Sequence, residues 1–175
     1  THYIRADIFI DCSGDSILAE LSGAEYRHGR EARGEYGEAA APQTEDKQTM
    51  GNSCLLQVRE TAEPIPFIPP QWARKLPDEE NLETRDHMPN SYRDNNFWWL
   101  ELGGNKNTID DAEEIRDELL KLSFGIWDHI KNTGDHKAEN WELDWAGFLP
   151  GKRESRRYIG DHILNQRKVQ SSAAC

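Results

Sequence analysis

The densest group of charged side chains that could do chemistry lies in the segment Lys152-Arg153-Glu154-Ser155-Arg156-Arg157. It places four cations within six residues of a chain whose formal net charge is −11. If a helix begins near Glu154, its free N–H groups and the forked guanidinium groups can hold a carboxylate or a phosphate. Such a helix would put Arg153 and Arg157 on one face and Arg156 on another, so only one or two of them would reach a site. The alternative is a solvated helix end whose arginines pair with acidic residues.

The turn Ser13-Gly14-Asp15 is the second candidate. It follows residues 3–12, which contain three bulky apolar residues in a row and are predicted to form a strand covered on both faces. Residues 15–23 are predicted to form the next helix. Because Gly14 has no side chain, the backbone can approach a nucleotide there, and the Asp15 carboxylate can accept hydrogen bonds. The alternative is that Asp15 only caps the helix.

His129 and His136 flank a turn at residues 132–134 and could donate or accept a proton near neutral pH. The sequence disfavours a metal site, because no carboxylate–histidine pattern at ligand spacing accompanies them. In a region rich in tryptophan, a packed and hydrogen-bonded histidine is the alternative to a catalytic one.

The remaining patterns indicate the elements that must position these residues. Residues 53–60 and 96–102 are predicted strands, and they flank a proline-rich stretch at 64–70 that excludes regular structure. A long amphipathic helix is predicted from Thr108 to about Lys131, with Thr108 and Asp111 as its cap. A second helix capped by Asp135 carries Ala138, Trp141 and Trp145, and a third helix runs from about Glu154 to Gln166.

Composition excludes some partners. A net charge of −11 opposes generic binding to nucleic acid, and no apolar run reaches the ~20 residues of a membrane span. The three cysteines are widely spaced and match neither a disulfide framework nor a zinc site.

Five segments of the chain have a recognisable joint pattern: Phe9-Ile10-Asp11-Cys12-Ser13-Gly14-Asp15, Gly29-Arg30-Glu31, Met50-Gly51-Asn52-Ser53, Trp127-Asp128-His129-Ile130-Lys131-Asn132 with Gly134-Asp135-His136, and Leu149-Pro150-Gly151-Lys152-Arg153-Glu154-Ser155-Arg156-Arg157. Together they resemble the FAD-dependent oxidoreductases of the glutathione-reductase-like flavoprotein superfamily, in particular its bacterial members. In that family the first motif usually has threonine at the position of Ser13 and often glycine at that of Ser16.

The resemblance implies an α/β fold, in which a fragment of an FAD-binding Rossmann-like domain is joined to a mixed α+β substrate or cap domain. Residues 1–29 would be the closing βα unit, and residues 30–175 the substrate or cap domain, truncated at its C-terminus. It also implies FAD as the cofactor and a small-molecule substrate. Ser13, Gly14 and Asp15 would bind the cofactor, and Arg153, Arg156 and His136 would be catalytic, with an arginine stabilising negative charge on reduced flavin.

The chain contains no G-x-G-x-x-G phosphate-binding fingerprint, so we expect the isolated segment to be an internal piece that binds FAD poorly and is inactive. The alternative function is a noncatalytic, helix-rich module that recognises an acidic partner or a carbohydrate. The sequence does not indicate the substrate, the electron acceptor, the oligomeric state or the compartment.

Overall fold

The computed structural model describes residues 2–79, 82, 87–89, 96–133 and 136–171, with the backbone alone at 96–99. Two compact units make up the chain. We call Gly51–Arg153 the central unit, and Thr1–Met50 together with Glu154–Cys175 the terminal unit. The predicted division into an FAD-binding part at residues 1–29 and a substrate or cap domain at residues 30–175 stays a prediction.

An antiparallel sheet forms one layer of the central unit. Its middle strand is β2 (Asn52–Glu60), which pairs with β3 (Asn96–Leu102) on one side. On the other side β2 pairs with β4 (Trp141–Ala146) and, at its start, with the short β5 (Gly151–Lys152). The predicted strands at 53–60 and 96–102 are confirmed, and residues 64–70 lack regular structure as predicted.

Helix α3 (Ala112–Asn132) is the second layer. Alternate β2 side chains and one face of the helix form the core, which confirms the predicted apolar stripe. The predicted cap is wrong, because Asp111 makes no side-chain bond to a helix N–H and instead accepts the backbone N–H of Asn107. The side chains at the centre of this core are Cys54, Leu56, Val58, Ile115, Leu119, Ile126 and Ile130.

A close approach fixes the loop that follows the proline-rich stretch against this helix. Gly125 faces the backbone of Arg74, and a Cβ atom on Gly125 would lie 2.2 Å from the Arg74 carbonyl oxygen. The Arg74 N–H also donates to the Lys121 carbonyl oxygen at 2.9 Å. Glycine is therefore required by contact at this point of the helix.

Short elements make up the terminal unit: α1 (Ile17–Ser22), β1 (Tyr26–Arg27), α2 (Arg33–Tyr36), β6 (Arg157–Tyr158) and α4 (Gln166–Gln170). Strand β1 pairs with β6 in antiparallel register. Helix α1 confirms the helix predicted after the glycine turn, and Gly23 ends it with a φ of 78°.

The strand predicted at residues 3–12 is wrong, because this segment has no regular structure and no strand partner among the described residues. Its apolar side chains at 8–10 are exposed. A parallel strand forms only where neighbouring strands take up its N–H and C=O groups. All strand pairs among the described residues are antiparallel, so the chain is a mixed α/β protein with antiparallel sheets.

Two predicted helices are also wrong. The segment with Trp141 and Trp145 is strand β4, because β2 offers it an edge and its alternating apolar residues suit a pleated strand. The Asp135 cap of that helix lies outside the described residues. The segment from Glu154 to Gln166 is irregular apart from β6, since its polar side chains bond to distant backbone. No helix among the described residues has both the length and the apolar character that a membrane crossing needs.

Candidate cofactor site

The turn at Gly14 is held by side chains on either side of it. One Asp11 carboxylate oxygen accepts the Ser13 N–H at 2.8 Å, and the other accepts the Leu18 N–H at 3.0 Å. The Ser13 hydroxyl oxygen accepts the Ile17 N–H at 3.1 Å. The first N–H groups of helix α1 are thus taken by Asp11 and Ser13, so the capping role considered for Asp15 falls to its neighbours.

Asp15 instead joins the turn to the basic segment, which lies about 140 residues away in sequence. Its carboxylate accepts the Ser155 hydroxyl at 2.7 Å, and its main-chain carbonyl accepts the Arg156 Nε–H at 2.9 Å. The Ser16 hydroxyl returns a bond to the Arg156 carbonyl at 3.1 Å. Two motifs that the sequence singled out separately therefore form one structure.

Arg156 is mostly buried, with a side chain that is 12% exposed. Its guanidinium pairs with Glu20 and lies over the Tyr26 ring, 5.5 Å from the centroid. Arg157 donates to the Gly29 carbonyl at 2.8 Å and to the Glu31 carboxylate at 2.9 Å. Arg156 is therefore a fixed cation beside the turn, whereas Arg157 holds a neighbouring loop.

Asp11 carries a stable negative charge. Hydrogen bonds from Ser13 and Tyr158 lower the pKa of Asp11, and the Tyr158 hydroxyl lies 2.5 Å from its carboxylate. The same contact raises the pKa of Tyr158. At neutral pH the pair is a carboxylate and a neutral phenol that donates to it.

An open cavity of about 790 Å³ lies beside this pair. Its volume is in the range of small-molecule sites, ~300–1,000 Å³. Apolar side chains form most of its wall, and Asp11 and the Tyr158 hydroxyl provide the polar groups. The apolar wall consists of Phe9, Ile10, Leu18 and Leu21.

These residues fit one wall of a cofactor site. Gly14 has a φ of 78°, and no atom lies within 4 Å of the position of a Cβ on it, so its backbone is open to an approaching ligand. The adjoining cavity offers apolar surface for a flat ring and a carboxylate for hydroxyl groups. Ser13, Gly14, Asp15 and Arg156 lie together at the turn next to this cavity, although none of them lines it.

The other two predicted catalytic residues lie in the central unit. Arg153 is half-exposed, and its guanidinium is 3.5 Å from the Glu101 carboxylate. His136 is buried, and its Nε2 lies 2.8 Å from Glu79 Oε1. Burial lowers the pKa of His136, which favours a neutral ring.

Sequence reasoning missed three contributors. Tyr158 stands one residue beyond the basic motif, and a tyrosine there has no spacing signal that pairs it with Asp11. Glu79 and His87 lie eight residues apart in a polar stretch, a spacing that matches no helical or strand ligand pattern. Only the folded chain shows that both lie near His129 and His136.

A family model described as FAD dependent oxidoreductase matches the chain over residues 1–175. No curated protein sequence and no solved structure matches the chain significantly.

Proposed function

The chain belongs to the FAD dependent oxidoreductase family, and from that premise we propose that it forms part of an enzyme that transfers electrons or hydride between a small-molecule substrate and FAD. The family implies FAD as the cofactor. Bound FAD supplies the redox chemistry, and the protein supplies binding, orientation and electrostatics. The family match does not support a noncatalytic binding module.

The observation that carries the proposal for this chain's own residues is the bonded pair of motifs in the terminal unit. In the proposal, the open backbone at Gly14 lies against the cofactor, and Ser13 and Asp15 line the same wall. Arg156 keeps the turn in place through its bond to the Asp15 carbonyl, 2.9 Å long.

Arg153 and His136 enter the proposal as candidate catalytic residues, on the family resemblance. Arg153 has only a weak, half-exposed ion pair, so its guanidinium can turn to bind an anionic substrate group. His136 can hold or accept a proton at a ring nitrogen.

The proposal keeps residues 1–29 as the end of a Rossmann-like FAD-binding domain and residues 30–175 as a substrate or cap domain. Support comes from the resemblance and from helix α1, which follows the glycine turn directly.

The test uses the intact protein that carries this chain. We expect it to be purified with flavin, or to take up FAD, with the visible absorption of an oxidised flavin after gel filtration. A colourless protein after reconstitution with FAD would overturn the proposal.

The arginines are ranked above the histidine as catalytic residues, and this ranking has its own test, stopped-flow reduction of the flavin with a substrate found by screening. We expect Arg153→Gln or Arg156→Gln to slow reduction roughly tenfold or more, the loss of ~1.4 kcal/mol in the transition state. The matched control is Arg59→Gln, which removes an exposed surface cation. Wild-type rates in both arginine variants, with a flavin-bound but inactive His129→Gln, would contradict the ranking and assign the catalytic role to the histidine turn.

A further inference from the structure

Three buried histidines of the central unit surround one carboxylate. His87, His129 and His136 are 7%, 2% and 8% exposed. The Glu79 side chain between them is 58% exposed. Its Oε1 lies 2.8 Å from His136 Nε2 and 3.0 Å from His129 Nε2, and its Oε2 lies 3.2 Å from His87 Nδ1.

Different elements bring these groups together. His129 is on helix α3, and His136 follows the end of that helix. Glu79 follows the segment that the contact between Gly125 and Arg74 holds against the helix, and His87 lies eight residues further along the chain. Imidazole rings from separate parts of the chain thus converge, with the His87 and His136 ring centroids 5.7 Å apart.

Hydrogen bonding fixes the orientation of His129. Its Nδ1 is 2.7 Å from the Leu76 carbonyl oxygen, which can only accept, so Nδ1 carries a proton. With a proton on Nε2 as well, the ring donates to Glu79 Oε1 at 3.0 Å, and in that form His129 orients the carboxylate.

His136 Nε2 is different, because it is buried and has no partner with hydrogen-bond geometry in the described part of the chain. Leaving a buried ring nitrogen without a bond costs free energy. This atom lies 2.8 Å from Glu79 Oε1, beside the donor atom of His87.

We propose that Glu79, His87 and His136 bind a divalent transition-metal ion of the zinc type. One donor atom from each of the three lies within 4.8 Å of the others. Two ligands bonded to one Zn²⁺ at ~2.0–2.2 Å lie no more than about 4.4 Å apart, so small side-chain adjustments close the site. Two imidazoles and one carboxylate are a donor set that zinc and ferrous iron accept.

Because the Glu79 side chain is exposed, one side of the proposed metal site is open to solvent. Two buried histidines form its inner wall, and the carboxylate side faces solvent, so a fourth position is open to water or another small ligand. His129 is a positioning residue, since it holds Glu79 Oε1 and is itself held by the Leu76 carbonyl. The site uses residues of the central unit alone and does not rest on the flavin proposal.

Cobalt(II) is the probe, because it replaces zinc and its visible absorption reports the number and geometry of its ligands. The intact protein, loaded with FAD and freed of metal by a chelator, is titrated with Co²⁺, and cobalt bands are read as a difference spectrum against the flavin. We expect one equivalent to bind. His87→Gln, His136→Gln and Glu79→Gln should each weaken binding well over tenfold, and His129→Gln should weaken it roughly tenfold or more without changing the spectrum.

His162→Gln is the matched control, since His162 is exposed in the terminal unit and outside the cluster. Circular dichroism checks that each variant is folded. If a histidine variant does not fold, the Glu79→Gln variant, which changes an exposed carboxylate, decides the question. Absence of stoichiometric Co²⁺ binding in the wild-type protein would overturn the proposal, as would wild-type affinity in folded Glu79→Gln.

Discussion

The two units of the chain hold their residues by different means. Of the buried apolar side chains in the described residues, all but Ala19 belong to the central unit. In the terminal unit many apolar side chains are exposed. Its segments are held to one another by hydrogen bonds, such as those of Asp11, Asp15 and Arg156.

This difference suggests that one unit determines the stability of the chain and that the other is suited to bind a cofactor. Burial of apolar surface is the main source of folding free energy, so the central unit should determine the stability of the chain. An open, polar-bonded unit leaves backbone and side chains accessible, as a wall of a cofactor site requires. Mutations in the central unit should therefore change mainly the free energy of unfolding, and mutations at the Gly14 turn of the terminal unit should change mainly the flavin content.

The largest stability effect should come from Leu119→Ala in the core of the central unit, where Leu119 is fully buried. Removing a buried leucine side chain costs about 2–5 kcal/mol, because a cavity remains. Urea denaturation measures the free energy of unfolding. Leu21→Ala in the terminal unit is the control, since Leu21 is 76% exposed and should change stability by less than about 0.5 kcal/mol. Equal losses in the two variants would erase the contrast between the units.

Cysteine reactivity compares the units without changing their packing. Cys12 is exposed, whereas Cys54 is buried, and burial raises the pKa of the Cys54 thiol. We expect a thiol reagent to label Cys12 at least roughly a hundredfold faster than Cys54, which reacts only when the core opens. Peptide mapping by mass spectrometry assigns the labelled sites. Comparable rates would show that the sheet of the central unit opens freely.

Glycine replacement tests the packing that fixes the loop of Glu79. Gly125→Ala should destabilise the protein by about 1–3 kcal/mol, because the new Cβ would lie 2.2 Å from the Arg74 carbonyl oxygen. Gly34→Ala in helix α2 is the control, since nothing lies within 4 Å of its Cβ position. That change should leave stability unchanged or raise it by about 0.4–1 kcal/mol. A neutral Gly125→Ala would contradict the close approach.

The smallest effect is a pH dependence confined to the turn at Gly14. The folded-state pKa of Asp11 is lowered by Ser13 and Tyr158, so its contribution to stability is complete above the ordinary pKa of 3.8 and is lost as pH falls through the lowered value. Amide hydrogen exchange at Leu18, whose N–H donates to Asp11, should quicken only in that acidic range relative to its intrinsic rate. The Asp11→Asn variant should lack this pH dependence. If the exchange rate at Leu18 instead changed near neutral pH, the pH dependence would belong to a group other than Asp11.

Sequence patterns predicted the parts of the fold that local periodicity determines. The 3.6-residue period of Ile115, Leu119 and Ile126 identified the long helix. Apolar/polar alternation identified the strand at 53–60, and an apolar run ended by glycines identified the strand at 96–102. Trp141 and Trp145 were misread because their spacing of four fits one face of a strand as well as one face of a helix, and Ala138 lies outside β4. The pairing edge that decides between the two comes from β2, over 80 residues earlier.

The candidate sites divide in the same way. Gly14 and the basic segment were recognisable as types of residue in a motif, and the family resemblance connected them with FAD. Their bond through Asp15 and Ser155 spans 140 residues and has no local signal. The cluster of histidines around Glu79 could not be predicted from the sequence for the same reason. Its residues are brought together by the fold, and their spacing in the sequence matches no pattern of metal ligands.

The central claim is that the Gly14 turn lies against FAD, and a pair of glycines tests it most directly. Gly14 and Gly23 both have a φ of 78°, and nothing lies within 4 Å of either Cβ position, so a valine should cause similar backbone strain at both. The measurement is the flavin content per protein after gel filtration of the intact Gly14→Val and Gly23→Val proteins, alongside their free energies of unfolding. We predict that Gly14→Val loses most of its FAD, while Gly23→Val keeps wild-type occupancy at comparable stability. Equal flavin occupancy in the two variants would contradict the claim and remove Gly14 from the cofactor site.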